Sequence, residues 1–148
     1  MVEIGSLHGW STSRLLRALA DNETGRLVTA DLIDRATETV PKSLPEGRWE
    51  FRKGHAKPSP ATGCPMWTIC SSTPITAPAS RAGYLADVFP VLRPGIPVSV
   101  HEVFHRAVPL PFTEGVEVLR WLDRAGTAYF TAARARAPRT GWSRTPGT

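Results

Sequence analysis

Apolar and polar positions along the first 31 residues follow two different periods. Val2 and Ile4 flank Glu3 in a short apolar run that reads as a buried strand, and glycines follow at positions 5 and 9. Over 10–21, Leu15, Leu16, Leu19 and Ala20 fall on one face, with Arg14, Arg17 and Asp21 elsewhere. That spacing predicts an amphipathic helix. Residues 22–25 (Asn-Glu-Thr-Gly) end it, and 26–31 (Arg-Leu-Val-Thr-Ala-Asp) read as a second buried strand closing on a carboxylate. Further along, 114–125 predicts another amphipathic helix and 127–131 another strand. Strands alternating with helices predict an α/β fold with a mostly parallel sheet.

The first turn carries the most chemistry. Glycine has no Cβ, so Gly5 and Gly9 allow a tight turn and the close approach of a ligand to the backbone. Ser11 or Thr12 is placed to cap the helix, whose free N–H groups would face the same crevice. Glu3 sits in the strand just before. This is the layout of a nucleotide or nucleoside pocket at the first βα turn of an open sheet. The spacing is Gly-x-x-x-Gly, not the dinucleotide Gly-x-Gly-x-x-Gly, and no Lys-Ser/Thr follows to make a P-loop. Two glycines here also serve packing alone. In a right-handed βαβ unit the second strand lies beside the first, which brings Asp31 to the crevice of Gly5. A carboxylate there accepts bonds from both hydroxyls of a ribose. The competing reading of Asp31, or of Asp34, is a helix cap.

Val-Glu-Ile-Gly-Ser-x-x-Gly-x-Ser-Thr, followed by a strand ending in Asp, resembles the class I S-adenosylmethionine-dependent methyltransferases, and most of all their small-molecule O-methyltransferase-like branch. The resemblance implies a Rossmann-like open sheet with helices on both faces. It implies that residues 5–9, Gly5, Ser6 and Gly9 among them, pass under the methionine part of the cofactor. Glu3 would hold the amino end of that cofactor, through water if not directly, and Asp31 its ribose. A phosphate-free cofactor is consistent with the missing P-loop lysine. Residues 48–56 match the third strand and its Gly-Asp-Ala turn, with His55 where the family places an acid near the adenine. Residues 84–92 match the helix before strand five, and 94–105 that strand and its loop. The resemblance covers about 2–56 and 84–132, and only the N-terminal motif is specific. The chain opens directly on strand one, without the helix that precedes it in the family and without a signal peptide, so a cytoplasmic protein is expected.

Residues 57–83 break the composition. Thirteen of these 27 residues are Ser, Thr or Pro, none is Asp or Glu, and both cysteines, Cys64 and Cys70, lie here. The family places strand four at this point, so the fold is expected to be incomplete around it. A structureless loop of this length is itself unusual in a compact α/β domain. Met66 and Trp67 have unique codons, and Thr68 begins with AC. Reading from the third base of the Met codon forces Val-Asp. The shifted frame then permits Tyr-Leu-Phe-Ile-Asp-Ser-Asp-His, the pattern of the missing strand with its terminal acids. The segment is therefore read as translated out of frame between two compensating indels, with a true Ser/Pro-rich insertion as the alternative. Cys64-x5-Cys70 has neither zinc-knuckle nor redox-pair spacing.

At 148 residues and 41% hydrophobic content, the chain suits one soluble domain, 1–133, with a core of its own. No window is apolar and long enough to span a bilayer. The net charge of +5 is uneven: Arg134, Arg136, Arg139 and Arg144 lie in an acid-free tail over 134–148, which leaves about +1 for the rest. The tail reads as disordered and solvated. Nucleic acid is therefore not the expected partner. A small-molecule acceptor is.

Methyl transfer from a sulfonium is an in-line displacement, so the protein mainly positions the acceptor. A hydroxyl acceptor also gains from a base or a metal. His101 and His105 are the candidate bases. Glu102 falls where metal-dependent relatives place an Asp, but one carboxylate between two histidines is not a magnesium set. A transition metal is the other metal reading, and a polar strand end meeting solvent the plainest one. Residues 108–112 (Val-Pro-Leu-Pro-Phe) would line an acceptor pocket or stiffen the connection to the next helix. Two further classes stay open: a noncatalytic nucleoside-binding α/β module and an inactive methyltransferase remnant.

Overall fold

The structure is a computed structural model that describes residues 1–56, 67–69, 83–92, 94–101, 103–104, 109 and 114–131, with only the backbone at 67–69. Strand β1 (Val2–Ile4) leads to helix α1 (Trp10–Asp21), strand β2 (Leu27–Asp31), helix α2 (Arg35–Thr39) and strand β3 (Trp49–Lys53). Strand β4 (Trp67–Ile69), helix α3 (Gly83–Asp87), a 3-10 turn (Phe89–Val91), strand β5 (Val98–Val100) and helix α4 (Glu114–Arg124) complete it. The five strands form one sheet in the order β3-β2-β1-β4-β5, every neighbouring pair parallel. The order reverses between β1 and β4, which makes the C-terminal ends of these strands the switch point where open α/β sheets bind ligands.

Pairing of β4 corrects one expectation. The side of β1 away from β2 is not left open, because Val2, Glu3 and Ile4 pair with Trp67, Thr68 and Ile69. The same three residues pair onward with β5. Trp, Thr and Ile all favour extended backbone, so even this Ser/Pro-rich segment holds one run able to enter a sheet. Of the segment 57–83, only these residues and Gly83 are described, and both cysteines lie outside that set.

Two apolar clusters cover the two faces of the sheet. Val2 packs with Tyr84, Leu85, Val88, Phe89 and Val118, joined by the partly buried Ile4, Val28, Val98 and Val100. Leu16, Leu27, Ala36 and Val40 form the other, with Leu15, Leu19, Trp49 and Phe51 against them. Leu16 and Leu27 are fully buried, each worth about 1.5–3 kcal/mol of apolar transfer. Because side chains alternate across a strand, the residue between Val2 and Ile4 must point to the α1 side. That residue is Glu3.

The helix expected over 84–92 divides at Pro90. Helix α3 stops at Asp87, and a 3-10 turn with proline in its first positions continues to Val91. Proline has no N–H to give to the preceding turn and clashes with it, which ends the α-helix. Phe89 stacks edge-on against Trp121 of α4 at 4.9 Å and lies 5.5 Å from the Tyr84 ring. Burial, with the Glu114 carboxylate beside it, pushes the Tyr84 phenol well above its ordinary range. The strand expected over 127–131 is not formed: these residues carry no regular structure, and Phe130 is 92% exposed.

Candidate functional site

Three residues of the β1–α1 turn have left-handed backbone: Gly5 at φ 76°, Leu7 at 44° and Gly9 at 70°. The turn is tied to the end of β2. Gly5 donates its N–H to the Ala30 carbonyl at 2.9 Å. The Ser6 amide donates to Asp31 Oδ2 at 2.6 Å, the Leu7 amide at 2.9 Å and the Ser6 hydroxyl at 3.0 Å. Successive amides converging on one point make an anion-binding concavity. Here the chain fills it with its own carboxylate.

Asp31 is 8% exposed. Its other oxygen, Oδ1, accepts the Ile33 amide at 3.1 Å. Burial pulls the pKa of this carboxyl upward, and the Ser6, Leu7 and Ile33 amides with the Ser6 hydroxyl outweigh it, so the group titrates below its ordinary 3.8. Asp31 caps no helix: α2 starts after Asp34, whose side chain instead meets Lys53 Nζ at 2.9 Å. The Gly54 amide donates to the Asp31 carbonyl at 2.8 Å, which draws the turn after β3 to the same place. His55 follows it and is exposed.

Glu3 lies under the turn with no exposed surface. Its Oε1 accepts the Ser11 hydroxyl at 2.6 Å, and its Oε2 accepts the hydroxyls of Thr12 at 2.7 Å and Thr29 at 2.9 Å. The expected cap by Ser11 or Thr12 is therefore not made. The N-cap of α1 is Gly9, without a side-chain bond, and both hydroxyls turn inward to the carboxylate.

Gly9 serves packing. A Cβ there would stand 2.6 Å from Val40 Cγ2 and 3.4 Å from both Ala36 Cβ and Thr39 Oγ1. The Thr39 hydroxyl donates to the neighbouring His8 carbonyl at 2.8 Å. This side of the turn faces α2, and Gly5, Ser6 and Asp31 face the end of the sheet. Thr29 and Trp49 carry no motif of their own in the sequence. Thr29 shares the α1 side of β2 with Leu27 and Asp31, and this alternation was the signal available.

His101 follows β5 directly and is exposed. Strands lie about 4.8 Å apart, so β5 is roughly 10 Å from β1 on one side and β3 roughly 10 Å on the other. His55 and His101 therefore flank the switch point from opposite directions and form no common cluster. Glu102, His105 and residues 108–112 except Pro109 lie outside the described residues, as does the tail over 134–148. Among the described residues there is no group of three or more His, Cys, Asp or Glu side chains able to hold a metal, and no helix long and apolar enough to cross a membrane.

The sequence matches a protein family described as a methyltransferase domain over residues 2–103, from β1 to just past β5. No curated protein and no solved structure matches the chain. The matched stretch covers more than half of the chain and contains every strand of the parallel sheet, the turn at Gly5 and the carboxylate of Asp31. The chain belongs to this methyltransferase domain family.

Proposed function

We propose that the chain binds S-adenosylmethionine at the switch point and belongs to the small-molecule O-methyltransferase-like branch, acting on a hydroxyl acceptor in the cytoplasm. The observation that carries this reading is the junction at Asp31. The amides of the turn are already taken by a carboxylate, so the crevice does not call for a phosphate. Oδ2 carries three of the four bonds that Asp31 accepts, whereas Oδ1, with two lone pairs of its own, accepts only one backbone amide. That leaves capacity for a ribose hydroxyl. Leu32 and Ile33, which follow Asp31, are 45% and 46% exposed and offer apolar surface to a base. The donor set thus fits a nucleoside without phosphate.

Bound S-adenosylmethionine supplies a methyl group on a sulfonium sulfur. Residues 5–9 would pass under its methionine part, Asp31 would hold the ribose, and His55 would lie towards the adenine. On the acceptor side, His101 or His105 would take the proton of the hydroxyl, with Glu102 as the candidate ligand if a metal assists. We read residues 57–83 as an out-of-frame stretch, on the composition break and the codon compatibility of 66–76. Resequencing the gene tests that point: a nucleotide stretch unable to encode the acidic strand in any frame refutes it.

The experiment is calorimetric titration of S-adenosylmethionine and S-adenosylhomocysteine into this chain, beside a version with 57–83 restored to the shifted frame. The expected result is binding to both at roughly 1–100 µM, within the usual range of enzyme ligands. Binding by the restored version alone identifies this chain as an inactive remnant. Binding by neither removes the cofactor reading.

A further inference from the structure

We propose that Glu3, Ser11, Thr12, Thr29 and Trp49 form one positioning network around a buried carboxylate, and that Glu3 acts on a ligand only through the turn and helix it holds. The ligand part of this inference rests on the cofactor reading above. The network itself does not.

The alternation that buries Val2 and Ile4 on the α3–α4 side turns Glu3 towards α1. A carboxylate on that side, among Leu16, Leu27 and their neighbours, costs several kcal/mol unless its oxygens are bonded. Three hydroxyls do this, and the two contacts from α1, 2.6 and 2.7 Å, have the short length of bonds to an ionised oxygen. The third donor, Thr29, also accepts the Trp49 indole N–H at 2.9 Å. The hydroxyl proton of Thr29 is thereby directed to Glu3 and its lone pair to Trp49. One polar chain runs from β3 through β2 and β1 into the first turn of α1.

Both carboxylate oxygens of Glu3 thus bond to protein hydroxyls, and neither reaches the surface. Oε1 keeps a lone pair, but because Glu3 has no exposed surface an ammonium group could reach it only if Ser11 or Thr12 moved aside, which would release the start of α1. What Glu3 fixes is the direction in which α1 leaves the sheet. With it, the network fixes the left-handed turn at residues 5–9.

The test has a ligand-free arm and a ligand arm. In the first, amide hydrogen exchange is followed in the purified chain and in Glu3→Gln, Thr29→Val and Thr29→Ser. Thr29→Val keeps the shape and removes the hydroxyl, and Thr29→Ser keeps the hydroxyl. The expected result is exchange in the first two turns of α1 that is roughly tenfold faster in Glu3→Gln and Thr29→Val, consistent with loss of a bond to a charged group. Amides of β2 should change less, and Thr29→Ser should match the parent chain. Acceleration spread evenly over helix and sheet, or none, overturns the network.

In the second arm, S-adenosylhomocysteine and its analogue lacking the α-amino group are titrated into the same proteins. Positioning predicts that Thr29→Val and Glu3→Gln weaken both ligands by the same factor, so their ratio stays that of the parent. A ratio that collapses in Glu3→Gln alone means that Glu3 touches the amino group, and overturns the proposal. If the parent binds neither ligand, the cofactor reading fails, and the exchange arm still decides the network.

Discussion

Replacing Gly9 with alanine is expected to lower the melting temperature by roughly 10 °C. Two effects add. A left-handed conformation costs an L-residue about 1–2 kcal/mol, and Gly9 has φ 70°. The new methyl would also stand 2.6 Å from Val40 Cγ2, and overpacking of a filled site costs about 1–3 kcal/mol. Together they approach 2–5 kcal/mol, and each kcal/mol shifts the midpoint of a domain this size by about 3–5 °C. Thermal denaturation followed by circular dichroism checks the prediction. Adding Val40→Ala should recover the steric part and leave the backbone part. A Gly9→Ala protein that melts with the parent would show that α2 does not press on this turn.

Asp31→Asn is expected to weaken S-adenosylhomocysteine binding by roughly 100-fold and to loosen the turn at the same time. Hydrogen bonds to a charged group are worth about 1.5–3 kcal/mol each, and Asn replaces one acceptor oxygen with a donor facing the Ser6, Leu7 or Ile33 amide. The ligand effect is read by calorimetry. The effect on the fold is read from pH. The folded pKa of Asp31 lies below its ordinary 3.8, so the folded state binds its proton less readily than the unfolded state does. The stability that this group contributes is fully present above 3.8 and is lost as pH falls through the lower, folded value. Asp31→Asn should therefore be less stable than the parent near neutral pH, and the gap should close in acid below 3.8. A gap that stays constant across that range would mean that the carboxylate charge is not what holds the turn.

Much of this was legible in the chain. Leu15, Leu16 and Leu19 at helical spacing bury one face of α1, and the strand ending at Asp31 lies beside β1 as a right-handed crossover requires. The pairing of a glycine turn with that carboxylate also follows from sequence, because both sit at the C-terminal ends of adjacent parallel strands. The helix over 114–125 appears as α4, one residue shorter. What failed was local. Pro90 split one helix, and 127–131 formed no strand despite its β-branched and aromatic residues. Strand propensity is expressed only where the fold carries the segment to a sheet edge in register. For the same reason, a strand of three residues could form at 67–69 within a stretch whose composition argued against one.

The sequence by itself determined the α/β alternation, the turn at Gly5 and the carboxylate at Asp31, because periodicity and glycine spacing are local properties of the chain. Only the tertiary structure decided what each polar group bonds to. Glu3 reads as a ligand-facing acid from its place before the turn. The fold instead brings Ser11, Thr12 and Thr29 onto it from up to 26 residues away. Gly9 reads as room for a ligand, and the fold puts Val40 there. Both outcomes depend on which element packs over the turn, and no local pattern encodes that. A buried charge must be satisfied by whatever the packing brings within reach.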